Sequence, residues 1–339
     1  MNWIFFILCL ASAFIFSLGF NYYLISYARG GKFLDIPNNR SSHTVPTPRG
    51  GGISIALAVI IFMMWIGFDE IETKSNIVWL GATLFFIALV AVIDDIKGTG
   101  LSTVIRACLY FLIASIFVLL VNKSNMFNLQ GVLFVLVVAL LLAWSINLYN
   151  FMDGADGLAA IQALIVIIPA GLMFYLSGHQ EMASLCFVAA ASTTGFLLWN
   201  WPPAKIFMGD VGSCSLGFFM GGLAYISYTQ EIFSIFIWLI LHSVFVVDAS
   251  LTLIRRMLAG EEWYRAHRSH AYQRYLLLGH THKQLVVKVL MLGLFALWPL
   301  AWLVYQYPQF KLHVTILIYT FLSGVWYFIQ IQYKQSELR

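Results

Sequence analysis

The chain has 339 residues, of which 61% are hydrophobic and only 10% charged, and its mean hydropathy is +0.84. Soluble domains carry about 25% charged residues, so this composition excludes a water-soluble globule and places the chain in a bilayer. The formal net charge of +4 is modest, and the basic residues form no single soluble stripe, which gives no ground for a nucleic-acid partner.

Apolar stretches of about 20 residues, the length at which an α-helix crosses the hydrocarbon core, recur between short polar breaks. They predict an all-α, polytopic helical bundle. In chain order the expected spans are 3–27, 51–68, 77–93, 101–121, 131–149, 158–178, 182–199, 213–229, 232–254, 285–306 and 312–332, eleven in all. The first stretch lacks a basic leader and a small-residue cleavage site, and is expected to be a retained helix. With the N-terminus outside and the C-terminus inside, fourteen of the 19 Lys and Arg fall in inside segments and three outside, which sets the orientation by the positive-inside rule. Cys9, Cys108, Cys186 and Cys214 show no CxxC spacing and suggest packing rather than a metal or disulfide framework. No long repeat and no low-complexity linker appears, so residues 1–339 are expected to form one membrane domain.

The first inside loop, 28–50, contains DIPNNRSSHTVPTPRGGG. Its prolines prevent a regular helix, and Gly50, Gly51 and Gly52 permit close backbone approach. Arg40, His43 and Arg49 are candidate phosphate contacts, although the segment is equally readable as a connector. Asp94 and Asp95 end the third span, and as neighbours on a helix they point about 100° apart. Arg106, about one turn into the next span, is a cation beside hydrocarbon and requires an anion.

NLYNFMDGADGLA follows the fifth span. Asn147 and Asn150 share a helix face, and the Asp-Gly pairs at Asp153 and Asp156 allow a tight turn that aims both acids inward, though such pairs are also ordinary turn formers. PPAKIFMGDVGS carries Phe207 and Asp210, with Gly209 and Gly212 bracketing the acid, and suits either a phosphate site or a plain loop. Acids delivered to one membrane face by three separate loops suit Mg²⁺ or Mn²⁺ better than Zn²⁺. The loop 255–284 is the most basic part of the chain. Its HRSH places His267, Arg268 and His270 where they could grip a pyrophosphate, while a basic loop touching anionic lipid accounts for Arg255 and Arg256. Asp248, deep in the ninth span, could pair with Arg255 or Arg256. The loops 28–50, 94–100, 150–157, 200–212 and 255–284 are thus expected to build one site.

The DD pair, NLYNFMDGADGLA, the IFMGDVGS loop and the HRSH loop, in that order on one face, resemble the polyprenyl-phosphate N-acetylhexosamine-1-phosphate transferase family from about Asp35 to Arg274. Within it, RSSHTVPTPRGGG and HRSHAYQR look most like the branch that initiates O-antigen in Gram-negative bacteria. The resemblance implies a multi-pass protein of the bacterial inner membrane with its site facing the cytoplasm. The implied reaction moves a phospho-N-acetyl-sugar from a UDP-sugar to undecaprenyl phosphate with Mg²⁺, or Mn²⁺ in its place. It assigns Asp94 and Asp95 to catalysis, Asp210 and Asn150 to the metal, and Asn147, Asp153, Asp156 and Phe207 to the nucleotide. Arg106, His267, Arg268 and His270 fall to phosphate. A second copy in a homodimer and the bilayer complete the expected partners. The histidine-rich loop of the MurNAc-pentapeptide branch is missing, leaving GlcNAc, GalNAc, FucNAc and QuiNAc open. The competing class is a transporter or channel, which would use an acid near the bilayer midplane; only Asp248 qualifies.

Overall fold

A computed structural model describes residues 3–28, 34–37, 45–68, 75–96, 100–122, 128–262 and 267–338. In chain order, α1 (Trp3–Ala28) leads to a two-residue pair of antiparallel strands, β1 (Leu34–Asp35) and β2 (Thr47–Pro48). There follow α2 (Ile53–Phe68), α3 (Ser75–Ile96), α4 (Thr103–Val121), α5 (Leu129–Phe151), α6 (Leu158–Leu176), α7 (Gln180–Asn200), α8 (Gly209–Thr229) and α9 (Ile235–Leu258). A short α10 (Ala271–Leu277) precedes α11 (His282–Leu292), which continues through a π-helical turn (Gly293–Leu297) into α12 (Trp298–Gln306). The last long helix is α13 (Lys311–Glu337).

Every expected span is a helix. Among the described residues, nine helical stretches, with 282–306 taken as one, are long and apolar enough to cross a membrane. The other two are α2, with 16 residues, and α8, whose glycines and serines make it less apolar. The molecule is an all-α polytopic bundle, and its burial runs opposite to that of a soluble protein. The outer helices α1 and α13 turn large apolar side chains outward, among them Ile4, Leu8, Ile316 and Phe328. The inner helices α6, α7 and α8 are buried along most of their length. Lipid in place of water removes the penalty for that exposure.

Helix ends follow local chemistry. Ser102 caps α4 by accepting from the Ile105 N–H at 3.3 Å, Asn128 caps α5 through the Gly131 N–H at 2.8 Å, and Thr281 and Gln284 form a reciprocal capping box on α11. Between α1 and α2, the Ser17 and Ser54 hydroxyls lie 2.9 Å apart and Asn21 Nδ2 donates to Ser54 Oγ at 2.9 Å. Such polar contacts hold helices together where no hydrophobic drive exists between them. In the centre, α8 packs on α2, α3, α5 and α9, so its first turn lies where several helix ends meet.

Several boundaries differ from expectation. Asp94 and Asp95 lie in the last turns of α3, Asn150 in the last turn of α5, and Asp210 in the first turn of α8 rather than in loops. The helices continue past the apolar runs because backbone hydrogen bonding within a helix does not depend on apolar side chains. The expected loop 255–284 contains the end of α9, all of α10 and the start of α11.

Candidate active site

The site is assembled by a backbone clasp. Gly51 N–H donates to the Phe207 carbonyl at 2.9 Å, Gly52 N–H to the Met208 carbonyl at 2.9 Å, and Phe207 N–H to the Pro48 carbonyl at 2.8 Å. A Cβ on Gly52 would come 2.3 Å from Gly212 Cα, so neither glycine tolerates a side chain. Gly209, at φ +76°, makes the left-handed turn that starts α8 and aims Asp210. The close approach expected of the triple glycine is thus contact with the MGD segment. Phe207 is half-buried and fixed through its backbone.

Two ion-pair systems meet there. Arg106 Nη1 lies 2.6 Å from Asp94 Oδ2 and 3.0 Å from Asp210 Oδ2. Asp94 Oδ1 also accepts from the Leu101 N–H, so both its oxygens are engaged. Arg49 Nη1 lies 3.4 Å from Asp95 Oδ1 and Nη2 donates to the Asp95 carbonyl at 3.2 Å. Asp95 Oδ2 takes no hydrogen bond among the described residues. Asn150 Nδ2 donates to Ser213 Oγ at 3.1 Å, which ties the end of α5 to the first turn of α8.

The Asp153 carboxyl, in the turn between α5 and α6, has its pKa raised well above the carboxylate range, first by burial and then by the charges of Asp210 and Asp156. Apart from Asp153, the three acids Asp94, Asp95 and Asp210 share two cations, Arg49 and Arg106. The donors of the cluster are carboxylate and amide oxygens, the set a hard divalent cation prefers. Among the described residues, no three His, Cys, Asp or Glu side chains already stand in metal-holding geometry, and Arg106 occupies an oxygen of Asp94 and of Asp210. The residues fit Mg²⁺ in chemistry and charge.

Other predicted residues are placed differently. Asn147 Nδ2 turns back to the Ala143 carbonyl of its own helix at 2.7 Å. Asp156 accepts from the Ala204 N–H at 3.1 Å and lies 3.3 Å from His282 Nδ1, so it braces the 202–206 loop and α11. His270 is 4% exposed and lies 3.6 Å from Asp248, turned into the protein. His267 and Arg268 remain partly exposed. His267 Nδ1 accepts from the Ser269 N–H at 3.4 Å, which leaves the ring proton on Nε2. Burial, followed by the charges of His270, Arg256 and Arg255, lowers its pKa to about 3. It is a neutral hydrogen-bond donor rather than a cation. Arg40 and His43 lie outside the described residues.

Asp248 does not pair with Arg255 or Arg256. Its Oδ1 accepts from the Ala271 N–H at 2.7 Å and from Thr252 Oγ1 at 3.1 Å, and its Oδ2 from the Tyr272 N–H at 3.0 Å. Arg255 instead donates to Gln330 Oε1 at 2.7 Å and Arg256 pairs with Glu261 at 2.7 Å. The two arginines are drawn elsewhere, Arg255 to the neighbouring α13 and Arg256 to the segment after α9, while Asp248 faces the start of α10. Sequence reasoning passed over Ser213 and Tyr272. Tyr272 OH donates to the Phe151 carbonyl at 3.1 Å and lies where a Cβ on Gly154 would stand, so α10 presses directly on the Asp153 turn. The adjacency of Tyr272 to HRSH was its only signal.

Residues 77–228, which carry Asp94, Asp95, Arg106, Asn150, Asp153, Asp156 and Asp210, match the model of glycosyl transferase family 4. The chain is also 30% identical over 270 residues to a probable undecaprenyl-phosphate N-acetylglucosaminyl 1-phosphate transferase of Bacillus subtilis (strain 168), covering 77% of this chain and 74% of that one. The chain belongs to the polyprenyl-phosphate N-acetylhexosamine-1-phosphate transferase family. Within this transferase family it is 29% identical over 298 residues to a decaprenyl-phosphate N-acetylglucosaminephosphotransferase of Mycobacterium leprae (strain TN), covering 75% of this chain and 72% of that one. It is 32% identical over 229 residues to a phospho-N-acetylmuramoyl-pentapeptide-transferase of Prochlorococcus marinus (strain MIT 9301), covering 62% of each chain. The chain therefore spans less than two thirds of that relative's length.

Proposed function

We propose that this transferase moves a phospho-N-acetyl-sugar from a UDP-sugar to undecaprenyl phosphate at the cytoplasmic face of a bacterial inner membrane, starting O-antigen or a related envelope glycan. The observation that carries the reading is the joining of Asp94 and Asp210 by Arg106, with Asp95 and Arg49 beside them, at the converging ends of α3, α4 and α8. Two anionic phosphates must meet there, and the paired arginines lower their repulsion.

In the reaction, an oxygen of the lipid phosphate attacks the β-phosphorus of the donor. A new phosphorus–oxygen bond forms as the bond to the bridging oxygen breaks, and UMP leaves with the electron pair. Asp94, with both oxygens engaged, positions Arg106 against the phosphates. Asp95, with Oδ2 open, orients the lipid phosphate and accepts its proton. Asp210 and Asn150 would hold Mg²⁺, and the ion would supply positive charge that offsets the phosphates. Asp153, whose pKa is raised by burial, contacts the nucleotide, and His267 Nε2 donates to the pyrophosphate beside Arg268. The transporter reading loses its support because Asp248, the one candidate acid within a span, is committed to α10 and Thr252.

Purified protein supplied with Mg²⁺, undecaprenyl phosphate and a panel of UDP-N-acetyl-sugars releases UMP with at least one donor. A folded sample that releases none with any donor overturns the proposal.

A further inference from the structure

A groove of about 430 Å³ runs between α9, α11 and α13. Its walls are apolar, from Val244, Val247, Leu292, Leu322, Val325 and Phe328, and it opens on the outer surface of the bundle, where Phe328 is 60% exposed. The lining helices are not those that carry Asp94, Arg106 and Asp210, which are α3, α4 and α8. The groove is therefore separate from the ion-paired cluster.

One end of the groove is cationic. Lys288 Nζ lies 5.0 Å above the Tyr275 ring, and Tyr275 in turn stacks on His280 at 4.0 Å. Among the described residues Lys288 has no carboxylate partner. Asp248 also borders the groove, but the α10 backbone and Thr252 take up its oxygens. An ammonium group on an apolar wall keeps its charge only if it reaches water or meets an anion. Basic pockets between membrane helices bind phosphate-bearing lipid headgroups for that reason.

We propose that this groove binds an anionic phospholipid of the surrounding bilayer, with one acyl chain between α9 and α13 and the phosphate at Lys288 and His280. Charge complementarity selects the occupant, because an unpaired cation at the mouth of an apolar channel matches a lipid with a net negative headgroup and gains less from a zwitterion. The floor of the groove includes Met152, Leu158 and Tyr272, which flank the turn bearing Asp153 and Asp156. Lipid in the groove therefore supports that turn from behind.

Native mass spectrometry of the full chain, released from detergent with equimolar phosphatidylglycerol and phosphatidylcholine, tests the proposal. Wild-type protein retains phosphatidylglycerol with a preference of roughly five-fold, the effect of about one basic residue near an anionic surface. Lys288→Gln lowers the preference to near one. Lys311→Gln, which removes a lysine placed over Phe236 at 5.7 Å, leaves it unchanged. The proposal is overturned by equal retention in wild-type protein, by a Lys288→Gln variant that keeps the preference, by undecaprenyl phosphate displacing phosphatidylglycerol from this groove, or by a dimer that covers this face and excludes lipid.

Discussion

Asp94 on α3 and Asp210 on α8 share a single guanidinium nitrogen, Arg106 Nη1, at 2.6 and 3.0 Å. Removing that cation leaves two carboxylates facing each other with no positive charge between them. Arg106→Ala is expected to reduce UMP release on the order of 10²-fold and to lower the melting temperature. Arg106→Lys recovers part of the stability but little activity, because an ammonium cannot reproduce the planar guanidinium's geometry. Donor-dependent UMP release and a thermal melt in detergent check both variants.

Asp210→Asn keeps the size of the side chain and removes its charge. Metal-dependent turnover should fall by about two to three orders of magnitude while the melting temperature holds, since Arg106 keeps Asp94 as its partner and the repulsion between Asp210 and Asp95 is relieved. Chelation of wild-type protein with EDTA should abolish UMP release, and added Mg²⁺ should restore it. Near-wild-type turnover of the variant would remove Asp210 from the site.

The contact between Gly52 and Gly212 leaves no room for a methyl group. A Cβ on Gly52 would stand 2.3 Å from Gly212 Cα, and one on Gly212 would stand 2.6 Å from Gly52 Cα. Either alanine variant forces the clasp apart, at a cost of about 1–3 kcal/mol, and withdraws Asp210 from Arg106. Thermal melts and UMP release should fall together. By contrast, Gly324→Ala on α13, where nothing lies within 4 Å of the added Cβ, should leave both unchanged.

Asp248 holds the start of α10, and Tyr272 transmits that position to Phe151 and Gly154. Tyr272→Phe loses one hydrogen bond, worth about 1 kcal/mol, and loosens the Asp153 turn. The KM for the UDP-sugar is expected to rise several-fold while that for the lipid acceptor stays constant. Steady-state kinetics with each substrate varied separately measures the split. Asp248→Ala leaves two buried N–H groups unpaired, and a larger drop in melting temperature is expected.

His267 gives a pH dependence with a defined sign. Its folded-state pKa is lowered to about 3 from an ordinary value of 6.5, so between these values the unfolded chain binds a proton that the folded chain does not. Stability from this group is full above about pH 6.5 and declines as pH falls toward 3. Its partial exposure to solvent moderates the size of the effect. The melting temperature should be lower at pH 5 than at pH 7.5, and His267→Gln should narrow the difference. An unchanged pH profile in that variant would contradict the assignment.

The clustering of charged residues in the candidate site is legible in the sequence, for two physical reasons. A charge beside hydrocarbon is expensive, so Asp94, Asp95, Arg106 and Asp210 at span ends had to be compensated; Arg106 pairs with Asp94 and Asp210, and Asp95 pairs with Arg49. Glycine triplets are costly in an ordered segment unless backbones must touch, and Gly52 touches Gly212. Local spacing was less informative for Asn147, which bonds within its own helix, and for His270, which faces inward. A side chain's identity does not reveal which way its helix is turned.

Composition and hydropathy period determined by themselves that this chain is a bundle of membrane-length helices, because apolar length and charge cost are properties of the chain alone. Motif order pointed to the family and to a group of acids at one end of the bundle. Only the tertiary structure decided which acid meets which cation, that Asp248 serves α10 rather than an arginine, and that Tyr272 stands against Gly154. Those pairings join residues from 12 to 121 positions apart. Their partners are selected by how the helices cross, a relation no local sequence pattern contains.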